Sequence, residues 1–164
     1  MKSLIGMLVL GGTLAVSACG DNRVDPDRRY LVEPRATAAE TVGLHANETP
    51  ELRRLINKYA AEYDVPAALV HRVVIRESRH RPGARNGPYY GLMQILPATA
   101  RGMGFRGAPS DLLDAETNLK YGVKYLRGAY MVAGGNKDAA VKWYARGYYY
   151  EAKRKGLLEE TGLR

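Results

Sequence analysis

Pro66-Ala67-Ala68-Leu69-Val70-His71-Arg72-Val73-Val74-Ile75-Arg76-Glu77-Ser78 carries an apolar repeat with one acid in it. Val70, Val73, Val74 and Glu77 recur at i, i+3, i+4 and i+7, so a helix over 66–78 turns all four to one inward face. Glu77 is the only carboxylate between Asp64 and Asp111. Burial raises a carboxyl pKa. Glu77 also sits at the negative end of the helix dipole, because Pro82 stops the helix soon after it. Arg76, Arg79 and Arg81 oppose the shift, but residues one or two positions apart do not face each other on a helix. The expected result is an acid still partly protonated near neutrality, which general-acid chemistry requires. On this stretch alone a second reading stands beside it, a buried Glu paired to one of the arginines.

Upstream, Thr49-Pro50 opens a preceding helix with a capping residue and a proline at the first helical position. Leu52, Leu55, Ile56, Tyr59 and Tyr63 mark its apolar face, and Asp64-Val65-Pro66 breaks and restarts the chain. Residues 79–91 hold Pro82, Gly83, Gly87, Pro88 and Gly91, so a loop or a small irregular β segment is expected. Pro97–Arg101 reads as a short helix ending at Gly102. Asp114 caps a long helix through Val132, with Asn118, Tyr121, Gly122 and Tyr125 on one face and Gly134-Gly135 as its stop. Asn136 caps a further helix to about Ala145, and Tyr148–Lys155 forms a last one. No segment alternates convincingly as a strand, so the fold class is mainly α.

The amino terminus is different. After Lys2, Leu4–Ala18 is uncharged and contains three glycines, too short and too glycine-rich for a membrane span. Residues 1–18 therefore read as a signal. Val16-Ser17-Ala18-Cys19 resembles the bacterial lipobox, which makes Cys19, the only cysteine, the expected site of lipidation and excludes an intramolecular disulfide. Residues 19–48 read as the lipidated Cys and a flexible linker, net −2 over 20–48 and without an apolar period. Fully stretched it reaches roughly 95 Å, and as a coil about 30 Å. A short helix around Arg35–Val42 would shorten that reach.

Residues 49–164 form the one folded domain, with 20 Lys/Arg against 11 Asp/Glu. So basic a surface attracts polyanions. A secretory signal argues against nucleic acid and for an acidic cell-surface polymer. Twelve tyrosines, Trp143 and Phe105 offer flat faces for stacking on sugar rings, although for any single Tyr a place in the core is the better reading.

Three patterns occur in order: Glu77-Ser78, then Gly91-Leu92-Met93-Gln94, then Ala115-x-x-Asn118-Leu119-x-x-Gly122-x-x-Tyr125-Leu126. Together they resemble the catalytic domain of lytic transglycosylases of the soluble-lytic-transglycosylase type, glycoside hydrolase family 23, which is also similar to goose-type lysozyme. The resemblance covers roughly residues 50–150 and implies a lysozyme-like single domain that cuts peptidoglycan strands. It implies that Glu77 is the sole catalytic acid/base, protonating the oxygen between N-acetylmuramic acid and N-acetylglucosamine. Glu77 then takes the C6 hydroxyl proton as a 1,6-anhydro ring closes. Gly91, Leu92, Met93 and Gln94 line the glycan groove, with Met93 and Gln94 expected to touch sugar. Ser78, Asn86, Asn118 and Tyr125 complete the expected substrate-binding set, Asn118 and Gly122 holding the long helix against the groove floor. Tyr144 is the second catalytic candidate, its hydroxyl expected within hydrogen-bond reach of Glu77 or of the sugar.

The residues reach part of this independently. Ordinary glycosidases need two carboxyl groups about 5–9.5 Å apart. The nearest preceding acid, Asp64, lies thirteen positions from Glu77, roughly 20 Å along a helix. Asp111, Asp114 or Glu116 folding back would instead supply a second carboxylate and favour hydrolysis.

Two departures from the family pattern stand out. Asn86 replaces the Ser of Glu-Ser-x-x-x-Pro-x-Ala-x-Ser, and Ala-Tyr-Asn-Ala-Gly becomes Trp143-Tyr144-Ala145-Arg146-Gly147. Asn keeps hydrogen-bonding capacity at the first, whereas the second loses an Asn. The rivals are a hydrolytic lysozyme on the same fold and a non-catalytic peptidoglycan-binding lipoprotein. His45, His71 and His80 read as solvated, since one lies in the linker and the others are nine apart, so no metal site is expected. No cofactor is expected either. The chain is expected in the periplasm, lipid-anchored to a membrane, with peptidoglycan and, through its anchor, the membrane as partners and a cell-wall or secretion machine as a further one.

Overall fold

The computed structural model describes residues 43–164. Cys19, the signal segment and the expected helix at 35–42 lie outside the described residues. Six α-helices carry the domain: α1 (Pro50–Glu62), α2 (Ala67–Ser78), α3 (Pro97–Gly102), α4 (Ala115–Val132), α5 (Lys137–Arg146) and α6 (Tyr149–Lys155). Between α2 and α3 lies a two-residue antiparallel ladder, β1 (Arg85–Asn86) with β2 (Tyr89–Tyr90), turned at Gly87. This is the small irregular β segment the prolines and glycines imply. A 3₁₀ helix at Pro109–Leu113 leads into α4 and was not foreshadowed by any periodicity.

The caps follow the sequence. Thr49 accepts from the Leu52 amide, Asp114 from Thr117 and Asn136 from Ala139, each worth about 1 kcal/mol. Gly134 and Gly135, both at positive φ, end the turn after α4.

Helix α4 is the central post and packs against α1, α3, α5, α6 and the 3₁₀ helix. Its Leu119, Val123, Leu126, Ala129 and Val132 are buried with Leu69, Val70, Val73 and Val74 of α2 in the main core. The stripe read from Val70, Val73 and Val74 is therefore an inward face. A smaller core of Ile95, Ala100, Phe105 and Leu112 lies beneath the β turn and α3.

Glycine at 122 serves close packing. A Cβ there would run into the Met93 side chain at 2.6 Å, so Gly122 lets Met93 lie directly on α4. At 91 a Cβ would overlap Asn118 and the Leu112 carbonyl, and φ is +71°. The loop after β2 can press onto α4 only with glycine in that place.

The expected domain start at 49 moves back. Residues 45–48 already pack on the helices: Glu48 is buried, its carboxylate held by Arg53, and Asn47 donates to the Arg79 carbonyl at 3.0 Å. The end of the expected linker is thus part of the fold, because its polar side chains find partners on α1 and after α2.

Candidate active site

A cleft of about 1050 Å³ opens between the end of α2, the β turn, α3 and the end of α5. Glu77 lines it, delivered by the last turn of α2. Arg79, at φ 53°, is the left-handed cap that ends the helix directly behind it. The Glu77 side chain is 23% exposed. Burial pushes its carboxyl above the ordinary value, and the charge of Arg76 opposes the shift. Arg76 Nε lies 3.4 Å from Glu77 Oε1, which corrects the expectation that adjacent residues do not meet. The rule concerns where the Cβ atoms point, and a guanidinium on a long flexible stem reaches beyond it.

No second carboxylate among the described residues lines the cleft. Asp111 accepts from the Ala108 amide, Asp114 caps α4, and Glu116 is held by Lys58 and Tyr59. Each of the three acids considered for a hydrolytic partner is committed elsewhere.

The segment 91–94 is fixed from below. Asn118 is fully buried and makes three hydrogen bonds: its Oδ1 accepts from the Met93 amide, and its Nδ2 donates to the Tyr90 and Leu112 carbonyls. The Tyr144 hydroxyl donates to the Met93 carbonyl at 2.8 Å. Met93 is thereby clamped on both sides of its backbone while its side chain fills the core.

Several expected contacts are corrected by this arrangement. Leu92 and Met93 are fully buried, so their side chains do not reach a sugar in the cleft; apolar groups between a loop and α4 gain more from the core. Gly91 is buried under Asn118 and acts through its backbone. Asn118 holds the loop rather than the substrate. Ser78 is buried too, its hydroxyl donating back to the Val74 carbonyl, as serine in a helix commonly does. The Tyr144 hydroxyl donates to Met93 and makes no hydrogen bond with Glu77 among the described residues. Its ring does line the cleft, and its pKa is driven well up by burial and then by the Glu77 charge.

Asn86, Gln94 and Tyr125 do line the cleft. Gln94, at φ 46°, donates its amide to the Ala84 and Gly91 carbonyls. Tyr125 stacks edge-on against Tyr144 at 5.4 Å and makes no bond to Glu77 among the described residues. Ala145, standing where the family has Asn, is exposed at the rim. Sequence reasoning missed Arg81, Arg85, Tyr89 and Arg146, which join the cleft wall. The available signal was Arg146 itself, a cation in place of a family alanine.

Two of the three histidines are not solvated, and the third, His45, is only partly exposed. His71 and His80 are buried with ring nitrogens 3.2 Å apart, and His45 stacks on His80 at 5.1 Å. The chain fold, with 45–48 laid across α2, closes the separation that sequence distance suggested.

Comparison with known proteins decides the family. Residues 54–158 match the family model described as the transglycosylase SLT domain. The chain belongs to the SLT transglycosylase family. It is 30% identical over 90 residues to the soluble lytic murein transglycosylase of Escherichia coli K12, and equally to that of strain O157:H7. The matched part covers 51% of this chain and only 14% of each relative. Among solved structures the fold is similar to that in a complex of the 70-kDa soluble lytic transglycosylase with bulgecin A. That match has a TM-score of 0.56 and 26% identity, over 66% of this chain and 18% of the other. The SLT domain here is therefore a lysozyme-like, mainly helical unit, as the three motifs implied.

Proposed function

We propose that the protein is a peptidoglycan lytic transglycosylase that cleaves the bond between N-acetylmuramic acid and N-acetylglucosamine and leaves 1,6-anhydro ends. The observation that carries this reading is Glu77, a partly desolvated carboxyl and the one carboxyl among the described residues that lines this cleft of an SLT domain.

In its neutral form Glu77 gives its proton to the glycosidic oxygen as the bond from C1 breaks. The resulting carboxylate, with Arg76 at 3.4 Å to stabilise the charge, accepts the proton of the C6 hydroxyl while that oxygen closes onto C1. One group suffices because acid and base act in succession and the nucleophile comes from the substrate. Asn118 and Tyr144 serve by fixing the Met93 backbone, and thus the adjoining Gln94 at the cleft wall. The net positive domain draws the anionic wall polymer toward the cleft.

Anchoring at the periplasmic face of a membrane through lipid on Cys19 belongs to the same proposal, supported by Val16-Ser17-Ala18-Cys19. No helix among the described residues is long and apolar enough to cross a membrane. Cys19→Ser is expected to move the protein out of the membrane fraction or leave it unprocessed, read by fractionation and immunoblot. Unchanged processing and membrane retention would defeat the anchor.

Glu77→Gln tests the activity. It keeps the shape and removes the transferable proton, so release of soluble fragments from peptidoglycan is expected to fall by about 10²–10⁴ or more. Full turnover in that variant would reject the site.

A further inference from the structure

The protein has three histidines, and all of them meet in one place remote in sequence from one another. His45 comes from the segment before α1, His71 from the middle of α2 and His80 from just past its cap. Beside them lies Glu48, whose side chain is completely buried. None of these residues lines the cleft, and nothing in the proposed chemistry uses them.

We infer that His45, Glu48 and His71 form a binding site for a divalent transition metal of the zinc class. One ligand atom from each lies within 4.8 Å of the others. A tetrahedral site with bonds of about 2.0–2.2 Å brings its ligands to roughly 3.3 Å; Glu48 Oε1 and His71 Nδ1, 3.7 Å apart, are already close to that. The closing falls to His45, which is partly exposed on the short segment before α1, while His71 is fixed by its helix. Two imidazoles and one carboxylate suit zinc, cobalt or nickel rather than magnesium or calcium, which take mainly oxygen.

The surroundings are built to hold these ligands. Arg53 donates from Nε and Nη2 to the two Glu48 oxygens, both at 2.6 Å, and the His45 amide donates to Oε2 at 2.8 Å. Each carboxylate oxygen has two lone pairs, so the clamp orients Glu48 without exhausting its capacity to ligate. The Arg53 charge weakens the attraction for a cation, which places the affinity below that of an all-histidine site. His80 Nε2 lies 3.2 Å from His71 Nδ1, the nitrogen that also faces Glu48 Oε1 at 3.7 Å, so a metal bound there would replace the contact between the two rings. Metal binding would fasten residues 45–48 to the helix that carries Glu77, adding to the bond from Asn47 to the Arg79 carbonyl.

The test uses the full chain with Cys19→Ser, which removes the only thiol, titrated with Zn²⁺ alone by calorimetry in a non-chelating buffer. One ion per chain is expected to bind, raising the melting temperature where Mg²⁺ does not. The ring signals of His45 and His71 are expected to shift in nuclear magnetic resonance. His45→Ala, a change at a partly exposed position, is expected to weaken binding at least about tenfold while the metal-free protein stays folded. Absence of saturable Zn²⁺ binding, or equal binding in the His45→Ala chain, would overturn the assignment. Either result leaves the activity proposal standing, because peptidoglycan cleavage by Glu77 does not depend on this site.

Discussion

Glu77 and Glu48 are the same functional group withdrawn from water in one small domain, and their carboxyls move in opposite directions. Glu48 is the more deeply buried, and burial alone pushes it up. The hydrogen bonds from Arg53 and from the His45 amide outweigh that and hold it at about 2. Glu77 is less buried yet raised by its burial, because the one charged partner at ion-pair distance among the described residues, Arg76 at 3.4 Å, offsets only part of it. Depth of burial therefore does not choose the role. The number of donors aimed at the carboxylate does, and the cleft withholds them from Glu77.

The largest effect that would break this contrast is at Glu48. Glu48→Gln leaves the partly buried Arg53, which keeps its bond to the Gly43 carbonyl, against a neutral amide, at a cost of about 3 kcal/mol, the low end for breaking a buried pair. Urea unfolding should show that loss with little change in turnover per folded molecule. A loss under about 1 kcal/mol would mean the clamp is not what neutralises the burial cost.

A smaller effect is expected at Tyr144. Tyr144→Phe strands the buried Met93 carbonyl, at a cost of about 1–3 kcal/mol. The loosened Met93 backbone shifts Gln94, so turnover per folded molecule falls severalfold, less than in Glu77→Gln. Stability and rate measured on one preparation separate this from a hydroxyl that acts directly on Glu77, whose loss would lower rate far more than stability.

The smallest effect sharpens the contrast through pH. The folded Glu77 pKa is raised, so the folded state holds its proton more firmly than the unfolded chain, and stability declines as pH rises through the folded pKa. Glu77→Gln should therefore melt higher than wild type above that pKa and equal to it below the ordinary carboxyl value. A wild type that is the more stable at neutral pH would show a carboxylate held by unseen donors.

The fold was legible in the sequence because its signals are local. Caps at Thr49, Asp114 and Asn136, stops at Gly102 and Gly134, and the 3.6-residue stripe through Val70, Val73 and Val74 each act within one or two turns. The placing of Glu77 at the cleft was legible for the same reason. What escaped depends on contacts far apart in the chain. A Leu-Met pair next to Gln looks the same in sequence whether its side chains face a groove or a core, and only Gly122 and Asn118, more than 20 residues on, turn Met93 inward. The histidines escaped for a related reason, since 26 residues separate His45 from His71 and nothing local predicts that 45–48 lies across α2.

If one carboxyl serves as acid and then base with the substrate's own hydroxyl as nucleophile, the mass of the fragments released from purified peptidoglycan records it. Muropeptides one water lighter than those a lysozyme releases, with no reducible muramic end, are expected. Reducible muramic ends as the main product would contradict it.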